Sequence, residues 1–357
     1  MSEHADRAGS VRAGEELQLE PLAAYLREQL DEIPADAEVA VEQFPRGHSN
    51  LTYLIRAAGR EYVLRRPPFG SKVKSAHDMG REYRVLSALS PVYPLAPQPL
   101  LYCDDESVLG AKFYVMRRVS GIILRKDLPA GLELSAEQVR TLCESLFDEL
   151  CHLHSLDYRA LGLADLGRPA GYVERQVTGW TQRYQDSQTD EIESVLGLAK
   201  WLADHRPPER DAALIHNDYK LDNVVLDPAQ PTRIIGILDW EMSTIGDPLM
   251  DLGTSLSYWV EPGDGDDAEF LRWGPTTRPG ALSRREIVER YARKSGRDLS
   301  DALFYYCFGL FKTAVVLQQI YYRYKQGLTR DERFAALILG VRVLANRGVE
   351  AIQLGHV

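Results

Sequence analysis

The stretch Leu214-Ile215-His216-Asn217-Asp218-Tyr219-Lys220-Leu221-Asp222-Asn223 decides how the rest of this chain is read. It runs into the apolar segment Val224 to Leu226, and a second apolar segment, Ile234 to Leu238, closes on Asp239-Trp240-Glu241. Short strands adjoined by side chains with metal-ligand oxygens are what Mg-dependent phosphoryl transfer requires. A carboxylate at Asp218 can accept the proton of an attacking hydroxyl. The carboxamide oxygen of Asn223 and the carboxylate of Asp239 suit Mg²⁺, a hard cation that keeps several waters and takes few protein ligands. Lys220 puts a point charge where the phosphoryl group would pass, and His216 is expected to pack and to fix the loop. Turn chemistry alone would also explain Asp and Asn here, but it does not predict a second acidic group after the next apolar run.

His216 to Asn223 resembles the H-R-D-x-K-x-x-N catalytic loop of protein kinases, and is more similar still to the form used by the aminoglycoside phosphotransferase and choline kinase group. Within that group the chain looks like the phosphotransferase domain that some eukaryotic proteins carry fused to an acyl-CoA dehydrogenase. Recognisable motifs run from Phe44 to Asp251. The resemblance implies an α+β, protein-kinase-like two-lobed fold, with a small antiparallel-sheet N-terminal lobe and a mostly helical C-terminal lobe. It implies ATP and Mg²⁺ as cofactors and transfer of the γ-phosphate to a hydroxyl of a small molecule, a hydroxy acid or hydroxyacyl-CoA by analogy with the fusions. An aminoglycoside, choline or a sugar is the alternative acceptor. A catalytically silent nucleotide-binding module is the alternative of another class.

Composition narrows the field. At 357 residues, 45% hydrophobic and 26% charged, the chain can bury two cores. A formal net charge of −10 argues against general affinity for nucleic acid or for anionic membrane surfaces. Cys103, Cys143, Cys151 and Cys307 lack C-x-x-C spacing, so neither a zinc site nor a disulfide framework is expected, and a reducing cytoplasm is the simple reading. The N-terminus has no apolar signal region and no apolar run reaches membrane-spanning length.

The expected division is a disordered leader over 1–15, a nucleotide-clamp lobe over 16–119 and a catalytic and substrate lobe over 120–357. Leucines at near-helical spacing predict a helix from Glu16 to Asp31, and alternation predicts strands over Val39 to Phe44, Leu51 to Ala57 and Glu61 to Arg65. The loop Pro45 to Asn50 can aim backbone N–H groups at phosphate oxygens; the resemblance assigns Gly47, Ser49 and Asn50 to covering the ATP phosphates. On the next strand a period of two puts Val63 and Arg65 on one face, Leu64 and Arg66 on the other. This is where the related kinases carry a phosphate-binding Lys; Arg keeps the charge, and which of Arg65 and Arg66 faces the nucleotide stays open. Glu82, on a helix expected from Ser75 to Leu89, matches the acidic partner of that cation. Strands are expected over Leu100 to Cys103 and Ala111 to Val119. Met116 and Val119 fall at the adenine-binding hinge, where Arg117 departs from an acidic residue common in relatives and leaves ATP or GTP open; Gly121 is expected to bend the chain out of the strand.

Beyond the hinge, Ser135 to Leu156 reads as a long helix with Ser135 and Gln138 as its capping box. Helices follow over Tyr172 to Gln185 and Asp190 to His205, and later over Ser283 to Lys294, Asp301 to Gln326 and Arg330 to Arg347. Asp247 before Pro248 is an expected N-cap, and the resemblance has Asp251 bonding the catalytic-loop backbone. Glu241 is read either as support for a second Mg²⁺ or as a surface group. The polar stretch Glu261 to Gly280 is a candidate rim or lid whose Asp264, Asp266 and Asp267 could serve a polycationic acceptor. The aromatics Tyr305, Tyr306, Phe308, Phe311, Tyr321, Tyr322 and Tyr324 read as core or homodimer contact rather than a ligand box.

Overall fold

A computed structural model describes residues 4–45, 50–69, 78–329 and 331–357. The chain divides into two units, one of Met1–Ile123 with Val224–Ser243 and the other of Leu124–Asn223 with Thr244–Val357. A discontinuous division thus stands where a single boundary after residue 119 was expected, because the segment after Asn223 pairs within the first unit.

The first unit begins with α1 (Leu19–Gln29), β1 (Val39–Gln43), β2 (Leu51–Ala57) and β3 (Arg60–Arg66). Ala58 and Gly59 make the two-residue turn between β2 and β3, both at positive φ as a primed hairpin turn requires. There follow α2 (Met79–Leu89), β4 (Pro99–Cys103), the short α3 (Glu106–Leu109) and β5 (Phe113–Arg117). The five strands form one antiparallel sheet in the order β1-β2-β3-β5-β4. One face of it buries Tyr53, Ile55, Leu64 and Val115 against Leu22 and Leu26 of α1. Residues 4–15, expected as a disordered leader, make bonds here: Gly9 bridges Gln43, and Tyr53 Oη donates to the Glu15 carbonyl.

In the second unit α4 (Ala136–Ser155) starts at the expected capping box, with Ser135 and Gln138 each accepting the other's backbone N–H. It is followed by α5 (Tyr172–Ser187), α6 (Glu193–Asp204) and β6 (Ala213–Ile215). The chain then returns to the first unit for β7 (Val224–Leu226) and β8 (Ile234–Ile237), an antiparallel pair. Leu226 bridges Ile122, and a Cβ on Gly121 would lie 2.4 Å from the Leu226 carbonyl oxygen. Gly121 lies in a bend, as expected, and the close approach of the Leu226 backbone is what requires glycine there.

Back in the second unit, β9 (Thr244–Gly246) pairs with β6, and α7 (Pro248–Ser257), α8 (Arg284–Ser295), α9 (Ala302–Lys325) and α10 (Leu337–Leu354) complete it. Two differences from the sequence reading stand out. The last helix starts seven residues later than expected, because Asp331 caps a separate 3-10 turn over Glu332–Ala336, and it ends at Gly355 in the left-handed conformation. α9 is also long and apolar enough to cross a membrane by length and composition, with 78% of its most apolar window buried inside the unit. Tyr305, Tyr306, Phe308 and Phe311 lie in that buried part, while Tyr321, Tyr322 and Tyr324 are half-exposed.

α7 and α9 cross at Gly253 and Gly309, where a Cβ on Gly309 would stand 2.0 Å from the Gly253 carbonyl oxygen. Gly309→Ala is expected to destabilise by about 3 kcal/mol, since neither backbone can yield. Gly197→Ala, on the exposed face of α6 with nothing within 4 Å, should stabilise by about 0.5–1 kcal/mol. Urea unfolding midpoints of the two variants check both signs.

Candidate active site

Arg65 centres the polar cluster of the first unit. β3 alternates so that Arg65 shares a face with Val63, and Arg66 points the other way, to the Leu109 carbonyl at 3.1 Å and the Phe69 ring. The Arg65 guanidinium donates to Glu82 Oε1 at 2.8 Å, to Asp239 Oδ1 at 2.9 Å and to Glu241 Oε2 at 3.2 Å. Glu241 also accepts from Asn50 Nδ2 at 2.6 Å, which makes it part of this cluster and not a surface group. Burial opposes the charge on Arg65, but Glu82, with Asp239 and Glu241, outweighs it and holds the guanidinium protonated. Burial lifts the Glu82 carboxyl above the usual range, against the pull of Arg65. Asp239 takes a left-handed backbone, φ 67°, at the end of the β8 arm. Val63 pairs across the sheet with Met116, and Val119 packs at Gly236. Gly47 and Ser49 lie outside the described residues.

The second unit places Asp218 in the loop after β6. Its carboxylate accepts from Lys220 Nζ at 2.9 Å, from Asn223 Nδ2 at 3.0 Å and from Tyr258 Oη at 2.8 Å. Asn223 Nδ2 also reaches the Asp218 carbonyl at 2.9 Å. Burial would strip the Lys220 proton, but Asp218, with Tyr258 and Asp222, keeps the amine charged, and the ammonium lies over the rings of Tyr258 and Trp273. Burial and then Asp218 push the Tyr258 phenol well up, so it stays a donor.

The loop itself is fixed from α7. Asp247 caps that helix through the Leu249 N–H, and Asp251, one turn in and fully buried, accepts from the N–H groups of His216 at 2.7 Å and Asn217 at 2.8 Å. His154 adds a third bond to Asp251 at 3.1 Å. His216 is buried as expected and accepts from the Asp218 N–H.

The two residues proposed from sequence as metal donors each stand within their own unit. The bonds from the Asn223 side chain to Asp218 use Nδ2 and leave Oδ1 outside them, and Asp239 has a partly exposed carboxylate. Among the described residues no cluster of three His, Cys, Asp or Glu side chains forms a metal cage. Asn223 and Asp239 belong to different units.

Tyr258, Trp273 and Lys312 escaped the sequence reading. Tyr258 follows Asp251 by seven residues, two helical turns on one face, and that spacing could have found it. Lys312 stands alone in the apolar run of α9. Beside Lys220 lies a small pocket lined by Phe147, Tyr258, Trp259, Trp273 and Thr276. Asp264, expected as an acidic rim group, is instead bound by Arg284 at 2.7 Å and Arg347 at 2.5 Å.

A model of the Phosphotransferase enzyme family matches residues 40–284. Acyl-CoA dehydrogenase family member 11 of Gallus gallus is 37% identical over 89% of this chain and 41% of its own length, and that of Homo sapiens is 35% identical over 92% and 42%. The chain thus spans about two-fifths of the curated relatives it matches. A solved structure from Ralstonia eutropha JMP134, provisionally designated an aminoglycoside phosphotransferase, superposes with TM-score 0.79 at 31% identity over 95% of this chain and 99% of the other. APH(2")-IIIa with GDP and kanamycin superposes with TM-score 0.61 at 19% identity, over 92% and 98%, and shows the fold alone. The α+β, protein-kinase-like two-lobed class expected from sequence is borne out.

Removal of a charge tests the Arg65 cluster. Arg65→Ala leaves Glu82, Asp239 and Glu241 facing one another and is expected to cost roughly 3–5 kcal/mol at neutral pH, more than Glu82→Gln. Without the cation the folded-state carboxyl pKa values lie above the unfolded ones, so stability returns as pH falls through those raised values. Unfolding midpoints at neutral pH and near about pH 5 check the sign, and an Arg65→Ala loss that does not shrink with acid contradicts it.

Proposed function

The chain belongs to the phosphotransferase enzyme family, and from that premise we propose that it moves the γ-phosphoryl group of ATP, with Mg²⁺, onto the hydroxyl of a small molecule. A hydroxy acid or its CoA ester is the first acceptor class. The observation that carries this reading is the Asp218 carboxylate held by Lys220, Asn223 and Tyr258 on a loop pinned by Asp251.

In this reading Asp218 orients the acceptor hydroxyl and takes its proton, while Lys220 lends positive charge to the transferring group. Arg65, backed by Glu82, binds phosphate, and Asn50 with Gly47 and Ser49 covers it. Val63, Met116 and Val119 face the base. Mg²⁺, when bound, neutralises charge on the phosphate oxygens; Asn223, through Oδ1, and Asp239 are the donors we assign to it.

The acceptor class is supported by what surrounds Lys220. The hollow beside Lys220 is lined by aromatic rings, those of Phe147, Tyr258, Trp259 and Trp273, which favours an apolar neighbour over a polycation, although as it stands it has room for no more than a water. A polycationic aminoglycoside wants unpaired carboxylates, and Asp264 is committed to Arg284 and Arg347, which hold its carboxyl below the usual range against burial. The family names of the relatives, acyl-CoA dehydrogenases, favour an acyl acceptor too.

Asp218→Asn should retain Mg-ATP affinity while turnover falls by about a thousandfold or more. The assay is ADP release across hydroxy acids, their CoA esters and amino sugars. Undiminished turnover in the variant sinks the assignment. Thermal stabilisation of the wild-type chain by Mg-ATP, with no ADP release against any acceptor, would favour the silent nucleotide-binding module.

A further inference from the structure

Lys312 is a lysine in the middle of α9, 6% exposed, with Phe308, Phe311, Ala314 and Val315 buried around it. An ammonium taken from water costs several kcal/mol unless it is well paired. Here Nζ donates to the Asn217 carbonyl at 2.7 Å and lies 5.9 Å from the Trp180 ring centre, and among the described residues no carboxylate is within 4.0 Å of it. A packed apolar side chain would fill the same space without that cost.

What the lysine holds is the residue before Asp218. Asn217 has a left-handed backbone, φ 67°, which Asn tolerates better than most non-glycine residues. Asp251 of α7 takes its N–H, Lys312 of α9 its carbonyl, and Tyr172 of α5 lies 3.4 Å from its Nδ2. The next N–H, that of Asp218, is held by His216 Nδ1. Lys312 grips the carbonyl of the peptide that leads into Asp218.

We propose that Lys312 is a positioning residue for phosphoryl transfer: by holding the Asn217 carbonyl it sets the plane of the Asn217–Asp218 peptide and so the direction in which the Asp218 carboxylate leaves the loop. The proposal rests on the reading of Asp218 given above. Burial pushes the Lys312 amine down to about 8, with Asp218 and Asp251 supporting the charge and Lys220 and Arg183 opposing it, so it is still mostly protonated at neutral pH.

Lys312→Met separates positioning from mere packing. If the lysine only fills the core, replacing a buried charge by an apolar side chain of similar length leaves stability equal or higher and turnover unchanged. If it positions Asp218, the melting temperature holds or rises while kcat for ADP release from Mg-ATP, with water or with an acceptor, falls on the order of 10- to 100-fold and KM for Mg-ATP stays within about twofold. Amide exchange at Asn217 and Asp218 should quicken relative to the rest of the unit. Unchanged kcat, a loss that tracks the folded fraction, or exchange no faster at these amides than elsewhere overturns the proposal. Absence of ADP release from the wild-type protein would instead overturn the phosphotransferase reading, and the exchange comparison would still decide whether Lys312 sets this peptide.

Discussion

One enclosed carboxylate holds the loop on which the proposed chemistry depends. Asp251 is fully buried, and a bare charge there would be prohibitive. It is tolerated because two main-chain N–H groups and His154 satisfy it, and although burial pushes its carboxyl up, His154 and His216 hold it below the usual range. The sequence cause is local: Asp247 and Pro248 start α7 at a defined residue, which sets Asp251 in the first turn, where the helix dipole also favours a negative group. The same helix carries Tyr258 at its end to the Asp218 carboxylate.

In each unit the charges of one cluster answer one another. Arg65 answers Glu82, Asp239 and Glu241, and Lys220 answers Asp218. Such groups are poor contributors to net stability, since desolvation consumes most of what attraction returns. Their use is orientation: a guanidinium with three carboxylate partners has few rotamers left, and a carboxylate with three donors has few directions to point. Lys312 extends that logic to the main chain.

The parts of this structure that were legible in the sequence are those written in local chemistry. The capping box of α4, the cap at Asp247, the turn at Ala58-Gly59 and the face shared by Val63 and Arg65 all follow from neighbouring residues. Other features depend on partners far along the chain. β9 is three residues long and exists because β6 pairs with it, and Asp264 looks solvated until Arg284 and Arg347 are brought to it. The assignment of 224–243 to the first unit follows from the Ile122–Leu226 bridge and from the reach of Asp239 and Glu241 to Arg65, neither of which any period or cap announces.

That exchange of segments has a bearing on how the polypeptide matures. The N-terminal sheet can assemble early, but its unit lacks β7, β8 and two of the three acidic partners of Arg65 until Ser243 has emerged from the ribosome. By then a hundred residues of the other unit, Leu124 to Asn223, have already been synthesised. A nascent chain paused between those points would carry a buried arginine with Glu82 alone for company, which makes the stretch around β8 the place where translation speed and chaperone capture would matter most.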